Sequence, residues 1–170
     1  TKGVRTKVSS WLRHDHNTMP PLSKTTGNYV NSSLAKVEAL KAGYDEAVML
    51  SPNGLIAECS GENIFAVRNN VIITPPLSAG ALEGITQNSV ITVGRDLGYD
   101  VRVDNLARSD LYIAEEIFVC GTAAEVGSVR SVDERDVPCP GPKTRAIAET
   151  YAAAVRGKLP QYSGWLEHAV

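Results

Sequence analysis

The sequence predicts an α+β domain in which a curved, barrel-like mixed sheet is flanked by helices. Two observations carry this. Many short apolar or alternating runs are separated by tight-turn residues, and three longer segments place apolar residues at helical spacing. At 170 residues the chain can bury one core, and no repeat, low-complexity stretch or linker divides it, so residues 1–170 read as a single domain.

In chain order, Val4 to Trp11 mixes β-branched and polar residues and reads as a strand, and Met19-Pro20-Pro21 then forbids regular structure. A helix follows from about Tyr29 to Ala42, with Val30, Leu34, Val37 and Leu40 near helical spacing and Gly43 as its stop. Glu46 to Leu50 and Leu55 to Glu58 flank Pro52-Asn53-Gly54, a hairpin cue. Asn63 to Arg68 and Val71 to Thr74 flank Asn69-Asn70, a two-residue turn because Asn tolerates positive φ. A second helix opens near Thr86, the residue expected to cap it, and ends at Gly98. Tyr99 to Val103 reads as a strand, Ser109 as the cap of a short helix, and Glu116 to Cys120 as a buried strand. Val126 to Val132 is a further strand, and Pro142 to Arg156 a last helix with Pro in its first turn.

Composition narrows the function classes. An apolar fraction of 43% with mixed charge fits a folded protein, and a net charge of −2 gives no pull toward nucleic acid or an anionic membrane. No apolar run approaches the roughly 20 residues of a membrane span. Cys59, Cys120 and Cys139 are odd in number and widely spaced, which suits a reducing cytoplasm and no zinc site. The chain opens at Thr1 rather than Met, which reads as a fragment or a processed product.

Several residues could carry chemistry. Lys24 follows a Pro-Pro loop and precedes a helix, a place where an amine could be held at a cleft for Schiff-base chemistry, provided its surroundings desolvate it. Glu58 ends a strand and could face a ring nitrogen; the plainer expectation is an exposed strand-end Glu. Gly84-Ile85-Thr86 opens a helix whose free N–H groups suit an anion. Gly121-Thr122-Ala123-Ala124 follows a buried strand, and its small residues leave the backbone open to a second anion or a substrate carboxylate. Tyr29 could donate to a ring oxygen, or simply pack. His14-Asp15-His16 is too sparse for a metal site, and Ser60 with His168 has no triad context.

Taken together, Lys24-Thr-Thr-Gly-Asn-Tyr29, Glu58-Cys-Ser-Gly-Glu-Asn-Ile-Phe65, Ile72-Ile73-Thr74, Leu82-Glu-Gly-Ile-Thr86 and Gly121-Thr-Ala-Ala-Glu125 resemble the class IV (fold-type IV) aminotransferases that depend on pyridoxal 5'-phosphate (PLP), and among them the bacterial branched-chain group. The resemblance implies the large C-terminal domain of the D-amino-acid aminotransferase-like fold, with the family's N-terminal small domain outside this chain. It implies PLP as cofactor and Lys24 as the catalytic amine. Tyr29 would meet the phenolic oxygen and Glu58 the pyridine nitrogen. Gly84, Ile85, Thr86, Gly121 and Thr122 would bind the cofactor, with Ile85 through its amide, Thr86 and Thr122 at its phosphate; Thr122, Ala123 and Ala124 would bind the substrate, the backbone around Thr122-Ala123 meeting its carboxylate. The implied reaction is transamination of leucine, isoleucine and valine with 2-oxoglutarate, in a cytoplasmic homo-oligomer. D-amino-acid aminotransferase, aminodeoxychorismate lyase or a non-catalytic domain remain alternatives. Three positions depart from the family pattern. Gln87 stands where a Lys or Arg is usual, which takes a positive charge from the phosphate helix; Cys59 replaces Gly, and Gly127-Ser128 replaces Thr-Pro.

Overall fold

The structure, a computed structural model, describes residues 3–167. Among the described residues, nine strands form one mixed sheet: β1 (Val4–Val8), β2 (Glu46–Leu50), β3 (Ile56–Cys59), β4 (Asn63–Arg68), β5 (Val71–Thr74), β6 (Val101–Val103), β7 (Glu116–Gly121), β8 (Glu125–Val132) and β9 (Arg135–Asp136). The helices α1 (Tyr29–Lys41), α2 (Ile85–Asp96), α3 (Arg108–Tyr112) and α4 (Pro142–Ala154) are interspersed with them in sequence. The strand order is β3-β2-β1-β8-β7-β4-β5-β6, with β9 paired to β8. β1 runs parallel to both β2 and β8, and β6 parallel to β5; the other pairings are antiparallel. The mixed, curled half-barrel expected from the sequence is the observed fold.

Both faces of the central strands are buried, and strand alternation divides them. Ile64, Ala66, Ile117 and Val119 point into a core with Val8, Val48, Leu106 and Val129. Their neighbours Phe65, Val67, Phe118 and Cys120 pack beneath α2 and α4 with Val90, Val93, Ile147 and Tyr151. Register carries this across strands, since Phe65 pairs with Phe118 and the two rings stack at 4.8 Å.

Most element expectations hold within two residues, and the Asn69-Asn70 turn adopts φ of 48° and 67° as its chemistry demands. β1 stops at Val8, short of Trp11, because the Glu38 carboxylate takes the Ser9 hydroxyl and the Ser10 N–H that would have extended it. Ser109 is not the cap of α3. That place belongs to Ala107, and the Asp110 carboxylate accepts its N–H at 2.8 Å. The two-residue β9 and the 3-10 turns at Thr26–Asn28, Leu77–Ala79 and Pro160–Trp165 are too short for periodicity to show.

Helical spacing located α1 without saying which face packs inward. Its buried side is Ser32, Ala35 and Ala39, set against Ala47 and Met49 of β2. The apolar residues Val30, Leu34, Val37 and Leu40 are 65%, 42%, 47% and 53% exposed. Close approach of a helix to a sheet needs small side chains, so the larger ones turn outward. His168 lies outside the described residues.

Candidate active site

The elements converge on a cleft of about 530 Å³. Its walls are the loop after β1 (Arg13 and residues 21–24), the start of α1 (Asn28, Tyr29, Ser32), the β3–β4 corner (Glu58, residues 60–63), the approach to α2 (residues 82–86) and the end of β7 (residues 120–123). The sequence-expected residues Lys24, Tyr29, Glu58, Gly84, Ile85, Thr86, Gly121, Thr122 and Ala123 therefore line one space. Ala124, in the same turn, does not line it.

Glu58 lies on the cleft floor and is 6% exposed, which overturns the plainer expectation of a surface strand-end Glu. Its Oε1 meets Arg13 Nη2 at 2.7 Å. Its Oε2 accepts the Leu82 N–H at 3.0 Å and the Asn63 amide at 3.2 Å. Burial pushes its carboxyl up to about 7, against the opposing pull of Arg13, the Leu82 N–H and Lys24. A carboxylate offers about four acceptor directions, and three are filled, so one remains for a donor in the cleft. Arg13 is itself held by the Gly80 carbonyl at 3.1 Å and the Ser32 hydroxyl at 3.0 Å.

Lys24 is exposed at the cleft wall, where the sequence argument asked for a desolvated amine. Its loop is fixed by Asn28, whose amide donates to the Pro20 carbonyl at 2.9 Å and the Ser23 carbonyl at 2.6 Å. Tyr29 opens α1 and is 41% exposed, so it presents its ring to the cleft instead of packing inward.

The cap of α2 is Gly84 rather than Thr86, and no side chain serves the cap. The first-turn N–H groups, those of Ile85 and Thr86 among them, have no partner within the helix and point toward the cleft end. Gly84 is required there, since a Cβ would run into the Asn63 amide oxygen. Thr86 is buried at 4% and Ile85 is 76% exposed. Gln87 turns away from the cleft: its amide donates to the Thr74 hydroxyl at 2.9 Å, and that hydroxyl donates to the Ile64 carbonyl. It braces α2 against β5.

Sequence reasoning missed Arg13, Asn63 and Glu62. Glu62 lines the cleft, and burial with the neighbouring Glu46 charge pushes its carboxyl up to about 7. Arg13 could have been sought from Glu58, because a buried charge demands a counter-charge, but nothing in the spacing says which cation supplies it.

The amino-transferase class IV family profile matches residues 1–132. A probable branched-chain-amino-acid aminotransferase of Aquifex aeolicus is 50% identical over 169 residues, covering 98% of this chain and 54% of that relative. Among solved structures, the branched-chain aminotransferase of the thermophilic archaeon Thermoproteus uzoniensis with norvaline superposes with a TM-score of 0.95 at 48% identity, over 97% of this chain and 55% of that one. The branched-chain amino acid aminotransferase of Thermobaculum terrenum in its PLP-form gives a TM-score of 0.95 at 39% identity, over 97% and 55% of the two chains. This chain belongs to the class IV aminotransferases, and its fold is their fold-type IV fold. It spans about half the length of the relatives it matches.

Proposed function

We propose that this chain is the PLP-bearing part of an aminotransferase acting on branched-chain L-amino acids, with 2-oxoglutarate as amine acceptor. The observation that carries the reading is the meeting in one cleft of Lys24, Tyr29, the Arg13–Glu58 pair, the uncapped N-terminus of α2 and the turn after β7. The donor set fits PLP: a lysine amine, a carboxylate with one free acceptor direction, and helix-end N–H groups for a phosphate.

When bound, PLP supplies an aldehyde that captures amines and a ring that accepts electrons. Lys24 Nζ would hold the cofactor at its aldehyde and would move the proton to and from the substrate Cα. Glu58, drawn toward its charged form by Arg13 against its burial, would face a ring nitrogen and keep it protonated, and the phenol of Tyr29 would donate to the ring oxygen. The Ile85 N–H and the hydroxyls of Thr86 and Thr122 bind the phosphate. The backbone at Thr122 and Ala123 receives the substrate carboxylate.

The relatives bear branched-chain names, which supports the substrate class. The unpaired Cys59, Cys120 and Cys139 support a cytoplasmic setting. The exposed apolar stripe of α1 supports assembly with a second copy of the chain.

Adding PLP to the chain, reducing with borohydride and mapping peptides tests the site. The label is expected on Lys24 and absent in Lys24→Ala; labelling spread over other lysines overturns the assignment. L-leucine turnover by the whole protein is expected to exceed D-alanine turnover, and the reverse order would remove the substrate class.

A further inference from the structure

The corner at Ser60-Gly61-Glu62 brings together two carboxyl groups that the proposed reaction leaves unused. Glu46 on β2 is 4% exposed, yet richly held. It accepts the Ala47 N–H at 2.7 Å, the Ser60 N–H at 3.1 Å and the Ser60 hydroxyl, and it pairs with Lys36 Nζ of α1 at 2.5 Å. These donors hold Glu46 ionised against its burial.

Glu62 lies two residues beyond Ser60, whose N–H Glu46 accepts, and burial with the neighbouring Glu46 charge raises its carboxyl. Two buried carboxyl groups this close disfavour a second charge, so one of them carries a proton. Glu46 has the cation and the N–H donors, whereas Glu62 Oε2 is buried with no partner among the described residues. The proton therefore resides on Glu62. The remaining titratable groups around the pair are the Cys59 thiol on β3 and the Cys120 thiol on β7; burial raises both, Cys120 to about 12, so both stay neutral. Glu58 lies beyond Cys59 with its own partner, Arg13.

Glu62 also stands beside the turn that follows β7. Its Cγ lies 3.6 Å from where Gly121 would carry a Cβ, and both residues line the cleft with Thr122 and Ala123. We propose that Glu62 is a proton-controlled wall of the substrate end of this cleft: protonated, it admits a carboxylate at the Thr122–Ala123 turn, and ionised, it repels one. Glu62 is a positioning and selecting residue here, not an acid or base of the reaction. The inference rests on the reading that this turn receives the substrate carboxylate.

Two readouts on the purified chain with PLP added test it. The first is the infrared C=O band of protonated carboxyl groups, followed with pH in wild type and Glu62→Gln. The second is the affinity for 4-methylpentanoate, a monocarboxylate that stays anionic from about pH 6 to 8, measured by calorimetry. The expected result is a band component lost in Glu62→Gln that titrates near 7. Binding should be about tenfold weaker at pH 8 than at pH 6 in wild type, because only the protonated fraction is competent, and nearly level with pH in Glu62→Gln.

Absence of the Glu62-dependent band overturns the inference. So does a band accompanied by affinity that ignores pH. If the band is present and 4-methylpentanoate binds at neither pH, the carboxylate reading of the turn fails, and the inference falls with it by a separate route. Should Glu62→Gln misfold, Glu46→Gln decides: loss of the neighbouring charge should move the binding transition to lower pH, and an unmoved transition overturns the proposal.

Discussion

Arg13 and Glu58 meet at 2.7 Å beneath the cleft with side chains only 6% and 7% exposed. Neither could be so placed alone, because an isolated buried charge is far costlier than a paired one. The pair joins the loop after β1 to the end of β3, and through Gly80 and Leu82 it also fixes the approach to α2. One ion pair thereby ties together the loop after β1, the Glu58 carboxylate and the approach to α2.

Arg13→Met should therefore destabilise the chain by about 2–4 kcal/mol at pH 7.5, at the low edge of a broken buried pair because Glu58 can take up a proton instead. At pH 6 the cost should shrink, since Glu58, pushed up to about 7, is largely protonated there already. The double substitution Arg13→Met with Glu58→Met should recover part of the loss. Urea denaturation at the two pH values measures this, and a cost below about 1 kcal/mol at pH 7.5 would show that the pair is not structural.

Glu116, on β7, accepts the first-turn donors of α4, whose N-cap is Gly141. Glu116 is 4% exposed, and it accepts the Lys143 N–H at 3.1 Å, the Thr144 N–H at 2.8 Å and the Thr144 hydroxyl at 2.7 Å. Glu116→Ala should cost about 1–3 kcal/mol, because two helix-end donors and a buried hydroxyl lose their acceptor together. Gly141→Ala should be damaging without touching a charge, since its Cβ would run into the Glu116 carboxyl. Thermal melts check both, and a Gly141→Ala protein as stable as wild type would contradict the geometry.

The strands were legible because alternation and turn chemistry are local: Asn69-Asn70 fixes the β4–β5 hairpin by its own φ preference. The cleft was legible in part, because Lys24, Glu58 and Thr122 sit at element ends where loops gather. What the sequence concealed is long-range pairing. Arg13 finds Glu58, Glu62 finds Glu46, and Gln87 finds Thr74 only after the sheet has formed. The packed face of α1 was hidden for another reason, since helical spacing identifies an apolar face but does not say which face meets the sheet.

Stability should vary with pH in two opposed ways. Asp133 is raised by burial but lowered more by the Tyr112 hydroxyl, the Val8 N–H and Arg108, and its carboxyl ends below the usual range. Its contribution is present above the ordinary Asp value and lost as pH falls through the lowered one. Glu58 and Glu62 are raised to about 7, so the folded state holds their protons longer than the unfolded chain. Their contribution is full below the ordinary Glu value and declines as pH rises from there to about 7. Stability should accordingly be greatest near the ordinary carboxylate range, and Glu62→Gln should flatten the decline toward pH 7. Denaturation midpoints from pH 3 to 8 test this; stability still rising between pH 5 and 7 would contradict it.

The outward stripe of α1 yields the last prediction. Val30, Leu34, Val37 and Leu40, together with Trp11 at 45% and Leu12 at 47% exposure, leave an apolar surface beside the cleft loop. Complete burial of such a side chain is worth about 1.5–3 kcal/mol, and these are roughly half buried already, so each has about 1 kcal/mol to gain from a partner. Replacing Val37 and Leu40 by Lys should weaken self-association by about 2 kcal/mol for each changed α1 in the contact, or roughly thirtyfold in Kd apiece. The fold should survive, because the packed side of α1 is Ser32, Ala35 and Ala39, which the change does not touch. Sedimentation velocity across a concentration series reads both points. Equal association in wild type and the double variant would move the contact between copies away from α1.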